Sequence, residues 1–567
     1  MSTRPKRIKL GRQQAHDRKA KPARQPLDRA ASAVMALLAV VIAAMLLLGS
    51  QAQPKVRSFS WQNTAVSASD VAFLMTFSQP VNPRSVEAAL KIEPALPGKF
   101  SWAGRRMAYT LKASAPYGET YQLSLPAVAT TDQEKGFEPF AAEFKTRDRV
   151  FAYIGADEED EGRLVLFNFT RKEKTILTPP DQTVLDFQPY PQRDRILYSA
   201  VNDSENASPT LYAVTTGFRK DTEAAPPPRW QFWRHSEPPA AGTFTEILDN
   251  HTYQNLKFDL APDGSVIVVQ RVNNENPSDF GPWVVREGES PRKLNTAPGG
   301  DFTIAPDSAS LLLQQGQGTA VISLNSDITA AEEAELLDFL PEYGLTLDVA
   351  NDGTAAALVN FNQDDPEKRF TQSLFWVSNS GEEKALLQTD GSILSAQFNE
   401  DNKVLYCLVT RLLENTDEDT DAENTVSEES ISEESVSEES IDSYEDSEPE
   451  QAIAAAEEDE YSVYETYQTV PYLTAVDVKT GQEHKLLEMP PQQETSVSLA
   501  PDSLAILFDE TLATNSETAA DTPVEKPTYR IWLLPLFSTL EERVSGEPIA
   551  LPPTALEIAG RRPIWLP

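Results

Sequence analysis

The sequence predicts an all-β chain in which a single N-terminal transmembrane helix precedes a small β-sandwich and a seven-bladed β-propeller. Three observations predict it. A turn phrase recurs as "LAPDGSVIVVQ" (Leu260–Gln270), "IAPDSASLLLQ" (Ile304–Gln314) and "LAPDSLAILFD" (Leu499–Asp509). The strands leaving these turns are apolar without alternation, as in "VIVV" from Val266, "VLYCLV" from Val404 and "AILF" from Ala505. One uncharged run, "AASAVMALLAVVIAAMLLLG", fills Ala30–Gly49.

That run comes first in the chain. Twenty residues at about 1.5 Å each span about 30 Å, the hydrocarbon thickness of a bilayer. Residues 1–29 hold ten Lys/Arg and two Asp, a net +8. The positive-inside rule keeps such a tail cytoplasmic and sends the rest of the chain across the membrane. A purely topogenic tail is favoured over one that binds anionic lipid. A cleaved signal peptide is the alternative, with Ser50-Gln51-Ala52 as its cleavage site. Against it stand the length of the apolar run and of the basic leader. The whole chain carries −38, so the part beyond residue 29 carries −46. Such acidity excludes nucleic acid as a partner, because phosphate attraction needs clustered Lys/Arg. A single cysteine, Cys407, excludes an internal disulfide.

Residues 55–147 read as short strands parted by turns: "VAFLMTF" (Val71–Phe77), then "MAYTLK", "TYQLSLP" and "FAAEFKT". This spacing suits a β-sandwich. The stretches "MTFSQPVNPRSVEAALKIEPALPGKFSWAGRRMAYTL" and "PYGETYQLSLPAVATTDQEKG" resemble bacterial Ig-like domains of exported proteins. The resemblance rests on Phe77-Ser78-Gln79-Pro80-Val81, Pro83-Arg84-Ser85-Val86, Ile92-Glu93-Pro94 and Tyr117-Gly118-Glu119-Thr120-Tyr121. It implies a spacer or adhesive module, and a rigid stalk is the favoured form.

From residue 150 to 567 the turn phrase organises the chain. Pro sets φ for the first corner, and Asp with Gly or Ser suits the next positions, so each copy is a β-hairpin. A strand apolar on both faces is buried on both faces. Hairpins buried that way need sheets on either side, which stacked propeller blades supply. Weaker copies begin at Val184, Leu345 and Ile393. Pro262 to Pro306 is 44 residues and Pro306 to Asn351 is 45, one four-stranded blade each. Residues 150–178 read as a blade lacking its first strand, and "TALEIAGRRPIWLP" at the C-terminus reads as that strand alone. Joining them closes the ring and removes its exposed edges. These repeats resemble the PD-type propeller repeats of the TolB-like family, periplasmic proteins of bacterial envelopes. The resemblance implies the fold and an envelope location. It does not imply a role in the Tol system, because the anchor, the sandwich and the seventh blade depart from that protein.

Two spacings are too long. The first leaves an insertion at 219–242, "RKDTEAAPPPRWQFWRHSEPPAAG". Here Trp230, Phe232 and Trp233 stand beside Arg229 and Arg234, a composition suited to partner anchors. Rings tucked back onto their own blade are the plainer alternative. The second insertion, 414–460, holds 21 Asp/Glu and no Lys or Arg, which predicts a disordered surface loop. Asp417, Asp419, Asp421 and Glu428 have the spacing of a calcium loop, but Ala422 stands where its sharp turn wants Gly. Residues 511–527 read as a third loose loop.

No sequence motif marks a catalytic, cofactor or metal site. There is no G-x-S-x-G, H-E-x-x-H, Walker loop or dinucleotide fingerprint. His16, His235, His251 and His484 are scattered, and Cys407 sits inside an apolar strand as an inert core thiol. The expected role is a membrane-anchored, exported interaction or scaffold protein whose propeller binds an envelope protein, peptide or glycan. The alternative is a propeller-borne hydrolase or lyase acting on envelope polymers, which convergent carboxylates in the central funnel would favour.

Overall fold

A computed structural model describes residues 26–49, 54–126, 138–202, 208–218, 239–325, 334–414, 467–492, 494–512 and 528–567. The first element is α1 (Pro26–Gly49), a 24-residue helix over the expected span. Its described side chains, Ala30–Met45, are all exposed. Among the described residues no helix is long and apolar enough to cross a membrane.

Two four-stranded sheets follow. One runs Val56–Phe59, Ala72–Phe77, Arg106–Leu111, Gly98–Ala103 in spatial order. The other runs Ala65–Val66, Phe140–Thr146, Thr120–Leu125, Lys91–Glu93. Strands such as Ala72–Phe77 and Thr120–Leu125 alternate buried with outward positions. The buried set meets as aromatic edges and stacks: Phe59 on Phe73 at 5.2 Å, Trp61 on Phe144 at 5.1 Å, Tyr121 on Phe144 at 5.1 Å. A short helix, α2 (Pro83–Ala89), starts where Asn82 accepts the Arg84 N–H and Pro83 takes the first helical position.

Among the described residues, seven further four-stranded sheets succeed one another along the chain. Their inner strands are Gly560–Trp565 in blade one, then Gln182–Pro189, Tyr253–Leu260, Phe302–Ile304, Leu345–Val349, Ile393–Phe398 and Val497–Leu499 in blades two to seven. The second strands are the most buried, as in Arg195–Asn202 and Val266–Asn273. Ring closure follows the split expected for blade one: Trp565 pairs with Phe151 and Gly560 with Gly155. The C-terminal stretch is not one strand, however. Thr554–Ala555 pairs with Trp532 and Leu533 as the outer strand of blade seven, and only Gly560–Trp565 joins blade one. Only the four residues 556–559 separate the two strands, so the link between blades hides in what reads as one strand.

The repeated turn has one geometry in six blades. The first turn residue donates its N–H to the strand beyond and accepts the N–H of the fourth, as Ala261 does with Val266 and Gly264. The fourth residue lies in the left-handed region: Arg193, Gly264, Ser308, Gly353, Asn402 and Ser503, with φ from 56° at Ser308 to 75° at Gly264. Gly is the cheap occupant there. Where Ser or Asn replaces it, the side chain reaches the preceding blade. Ser308 Oγ accepts the Asp263 N–H at 3.3 Å, Asn402 Oδ1 the Asn351 N–H at 3.2 Å, and Ser503 Oγ the Glu400 N–H at 3.2 Å. The strained residue thus ties neighbouring blades together.

Strand direction gives the ring two ends. All these turns, and the connections from third to fourth strands, lie at one end, called here the turn end. The other end carries the links between blades. The 414–460 insertion begins there, at the end of the paired strands Val404–Glu414 and Tyr467–Asp477 of blade six, and from residue 415 on it lies outside the described residues, as does 513–527.

Candidate functional site

The inner strands surround an axial channel, and two layers of polar side chains line it. The first layer stands two residues before each turn. Gln188 Oε1 accepts the Leu260 N–H at 2.9 Å, and Asp259 Oδ2 accepts the Ile304 N–H at 2.6 Å. Asp348 Oδ2 accepts the Phe398 N–H at 2.7 Å, Gln397 Oε1 the Leu499 N–H at 2.8 Å, and Ser498 Oγ the Trp565 N–H at 3.1 Å. Each bond runs from one blade to the next. An inner strand has no neighbour on its axial side, so its N–H groups need such partners.

The second layer stands four residues before each turn: Asp186, Lys257, Asp301, Thr346, Ser395 and Ser496, with Arg562 in the closing strand. All seven are polar. On one side the charges pair across blades: Arg562 with Asp186 at 2.9 Å, and Lys257 with Asp301. On the other side stand three hydroxyls. Bulges lie beside these positions, between Val184 and Asp186, Asn255 and Lys257, and Ile393 and Ser395. They push Leu185, Leu256 and Leu394 out to 39%, 50% and 43% exposure.

Burial sets the electrostatics. It raises the Asp186 carboxyl above its ordinary range, with Arg562 opposing. It raises Asp259 against three hydrogen-bond donors, and Asp348 to about 6 against the N–H groups of Phe398 and Val349. Asp509, which accepts the Ser496 and Arg562 N–H groups at 2.6 and 2.7 Å, is raised too. Burial lowers Lys257, while Asp259 and Asp186 pull it back up. Three of these perturbed carboxyls, Asp186, Asp259 and Asp348, stand on inner strands, and Asp509 stands on the second strand of blade seven. All four accept backbone N–H groups, and Asp186 pairs with Arg562 as well.

The sandwich sits against the turn end at blades one and seven. Asp502, the turn aspartate of blade seven, accepts the Tyr117 N–H through Oδ2 at 3.0 Å, and Arg149 stands 3.8 Å away. Arg543, on α3 (Leu540–Ser545), donates to the Ser114 carbonyl at 3.2 Å. Gly118, at φ 81°, lets the chain pass Thr170, whose Oγ1 a Cβ would meet at 2.7 Å.

The sequence-predicted contact residues Trp230, Phe232 and Trp233 lie outside the described residues. Their segment leaves blade two at the turn end, where Arg193 stands 4.7 Å over the Phe218 ring. Cys407 is fully buried, as its strand implied. Sequence reasoning missed both channel layers. Their signal was present as a polar residue between apolar ones two positions before each turn, as in "FDL", "LDV" and "VSL".

No protein-family model matches this sequence, and no curated protein matches it. Among solved structures, TolB from Acinetobacter baumannii is similar over 84% of this chain and 83% of its own, at 9% identity and TM-score 0.34. An oligogalacturonate lyase from Vibrio parahaemolyticus is similar over 70% and 95%, at 10% identity and TM-score 0.35. Prolyl oligopeptidase B from Galerina marginata is similar over 84% and 52%, at 8% identity and TM-score 0.38.

Proposed function

We propose that this chain is an anchored, exported binding protein that holds a propeller off the membrane and offers its open end to an envelope protein, peptide or glycan. The observation that supports this best is the polarity of the assembly. The sandwich is bonded to the turn end through Asp502 and Tyr117, so an anchor reached through the sandwich leaves the opposite end of the channel facing outward. The anchor proposed is the uncharged run Ala30–Gly49 within α1, where Val34, Leu37, Val40 and Met45 are more than half exposed. The likeness of residues 55–147 to bacterial Ig-like modules suits a spacer, and the TolB-like repeats suit an envelope location.

Binding is preferred to catalysis because each perturbed carboxyl in the channel already serves a neighbouring strand or Arg562. The second reading, a hydrolase or lyase acting on envelope polymers, draws on those same carboxyls. It requires turnover of a polymer substrate that Asp348→Asn abolishes.

Cysteine labelling tests the topology. Cys407 is silent, because it is buried and burial raises its thiol pKa. Glu275→Cys, on an exposed loop opposite the turn end, should react with a membrane-impermeant maleimide in spheroplasts, while Ser2→Cys should react only after lysis. The reverse pattern, or labelling of both only after lysis, overturns the proposal.

A further inference from the structure

A second opening lies off the axis, at the end opposite the sandwich. Across blades four, five and six, cavities of about 590 and 320 Å³ share Phe361 and Gln363 as a common wall. The larger is lined by Phe361, Phe370, Leu412, Arg369, Asp390 and Ser392, with Gln372 behind them. Both volumes lie in the range of small-ligand sites, and together they make an elongated site.

Phe370 is the unusual wall. It is 85% exposed and adopts φ 72°, a conformation that bulky residues reach only at a cost. Its loop is firmly held. Asn362 Nδ2 donates to Thr371 Oγ1 and Ser373 Oγ, each at 2.9 Å, and Thr371 Oγ1 donates to the Lys368 carbonyl at 2.7 Å. The Arg369 guanidinium stands 5.3 Å over the Phe370 ring, which otherwise faces water from a pinned and strained loop.

The chemistry of the walls selects a ligand. Phe361, Phe370 and Leu412 offer apolar faces. Gln372 Oε1 is held by the Ile393 N–H at 2.9 Å and Gln363 Oε1 by Gln317 at 2.5 Å, so each amide presents its NH₂ as a donor. Asp390 accepts, and Ser392 does either. Arg369 and Asp390 cancel in charge. A sugar matches this set: its hydroxyls donate and accept at once, and its ring carries C–H faces for aromatic contact. We infer that this double cavity binds a neutral oligosaccharide, an assignment that rests on the binding role proposed above and gives it a ligand class.

The test is calorimetric titration of the full-length protein in detergent with cellohexaose, maltohexaose and the hexamer of N-acetylglucosamine. Binding of one of the three is expected. Phe370→Gly, which removes the ring and relieves the backbone, should weaken it at least tenfold without lowering the melting temperature, and Asp390→Asn should weaken it similarly. No binding by any hexamer, or binding unchanged in both variants, overturns the assignment. So does a photo-crosslinker at position 370 that captures a protein in cells when no hexamer binds; that outcome leaves the binding role standing. Failure of the binding role itself is read separately, from the labelling of Glu275→Cys.

Discussion

The Tyr117 backbone N–H bonds to Asp502 Oδ2 at 3.0 Å, across 385 residues of sequence. Asp502 belongs to the turn phrase, and its Oδ1 still accepts the Leu504 N–H within its own turn at 3.2 Å. Asp263 holds the same turn place in blade three, where Oδ1 accepts the Ser265 N–H at 2.8 Å. In blade seven the second carboxylate oxygen has been turned to joining two domains.

Asp502→Ala should therefore cost more than Asp263→Ala. Both lose a turn bond, but only the first also leaves a buried N–H without a partner, an added loss of about 1–3 kcal/mol. Thermal unfolding of the two variants checks this. Equal losses would mean that the Tyr117 contact contributes nothing.

Stability should depend on pH through Asp348. Its carboxyl is raised to about 6 by burial, above its ordinary value, so the native state binds more protons than the unfolded one between about pH 4 and 6. Its contribution is complete below that window and is lost as pH rises through about 6. Denaturant titrations across pH 4–7 should show this fall, and Asp348→Asn should flatten it. Carboxyl ¹³C NMR gives the midpoint directly.

Ser308 tests the inter-blade tie. Ser308→Gly relieves a left-handed backbone and loses one hydrogen bond, so the net change should stay within about 1 kcal/mol. Ser308→Val keeps the strain, worsens it by branching and loses the bond, and should cost about 2 kcal/mol or more. Chemical denaturation of the pair separates the two effects.

Trp565 tests the closure. It is 7% exposed and meets the Phe151 ring edge-on at 5.6 Å. Trp565→Ala should cost about 3–5 kcal/mol. Removing 560–567 should be worse than that, since it also bares the edge of Val150–Gly155, and the product should aggregate on size-exclusion chromatography.

The blade pattern was legible because it repeats: Pro-Asp followed by a left-handed residue marks three of the six turns outright and the other three keep part of that phrase, and a strand buried on both faces has no polar position to spare. The channel was less legible. Asp259 and Asp348 read locally as polar interruptions of a strand, and only the ring places each beside the next blade's N–H. The role of Phe370 was not legible at all, because its exposure and its φ belong to a loop conformation that no periodicity encodes. The mismatch at the C-terminus has a similar cause: only "LEIA" separates Ala555 from Gly560, with no Pro, Gly or Asn in it to mark a turn, so two strands in two blades look like one.

Closure by Gly560–Trp565 also sets a clock for synthesis. A chain elongating at roughly 5–20 residues per second can form blades two to six as they emerge. Blade one, begun at Val150, waits for its innermost strand until some four hundred further residues have been made. The growing chain spends that interval with the Val150–Gly155 edge unpaired, an opportunity for a chaperone and a hazard in its absence.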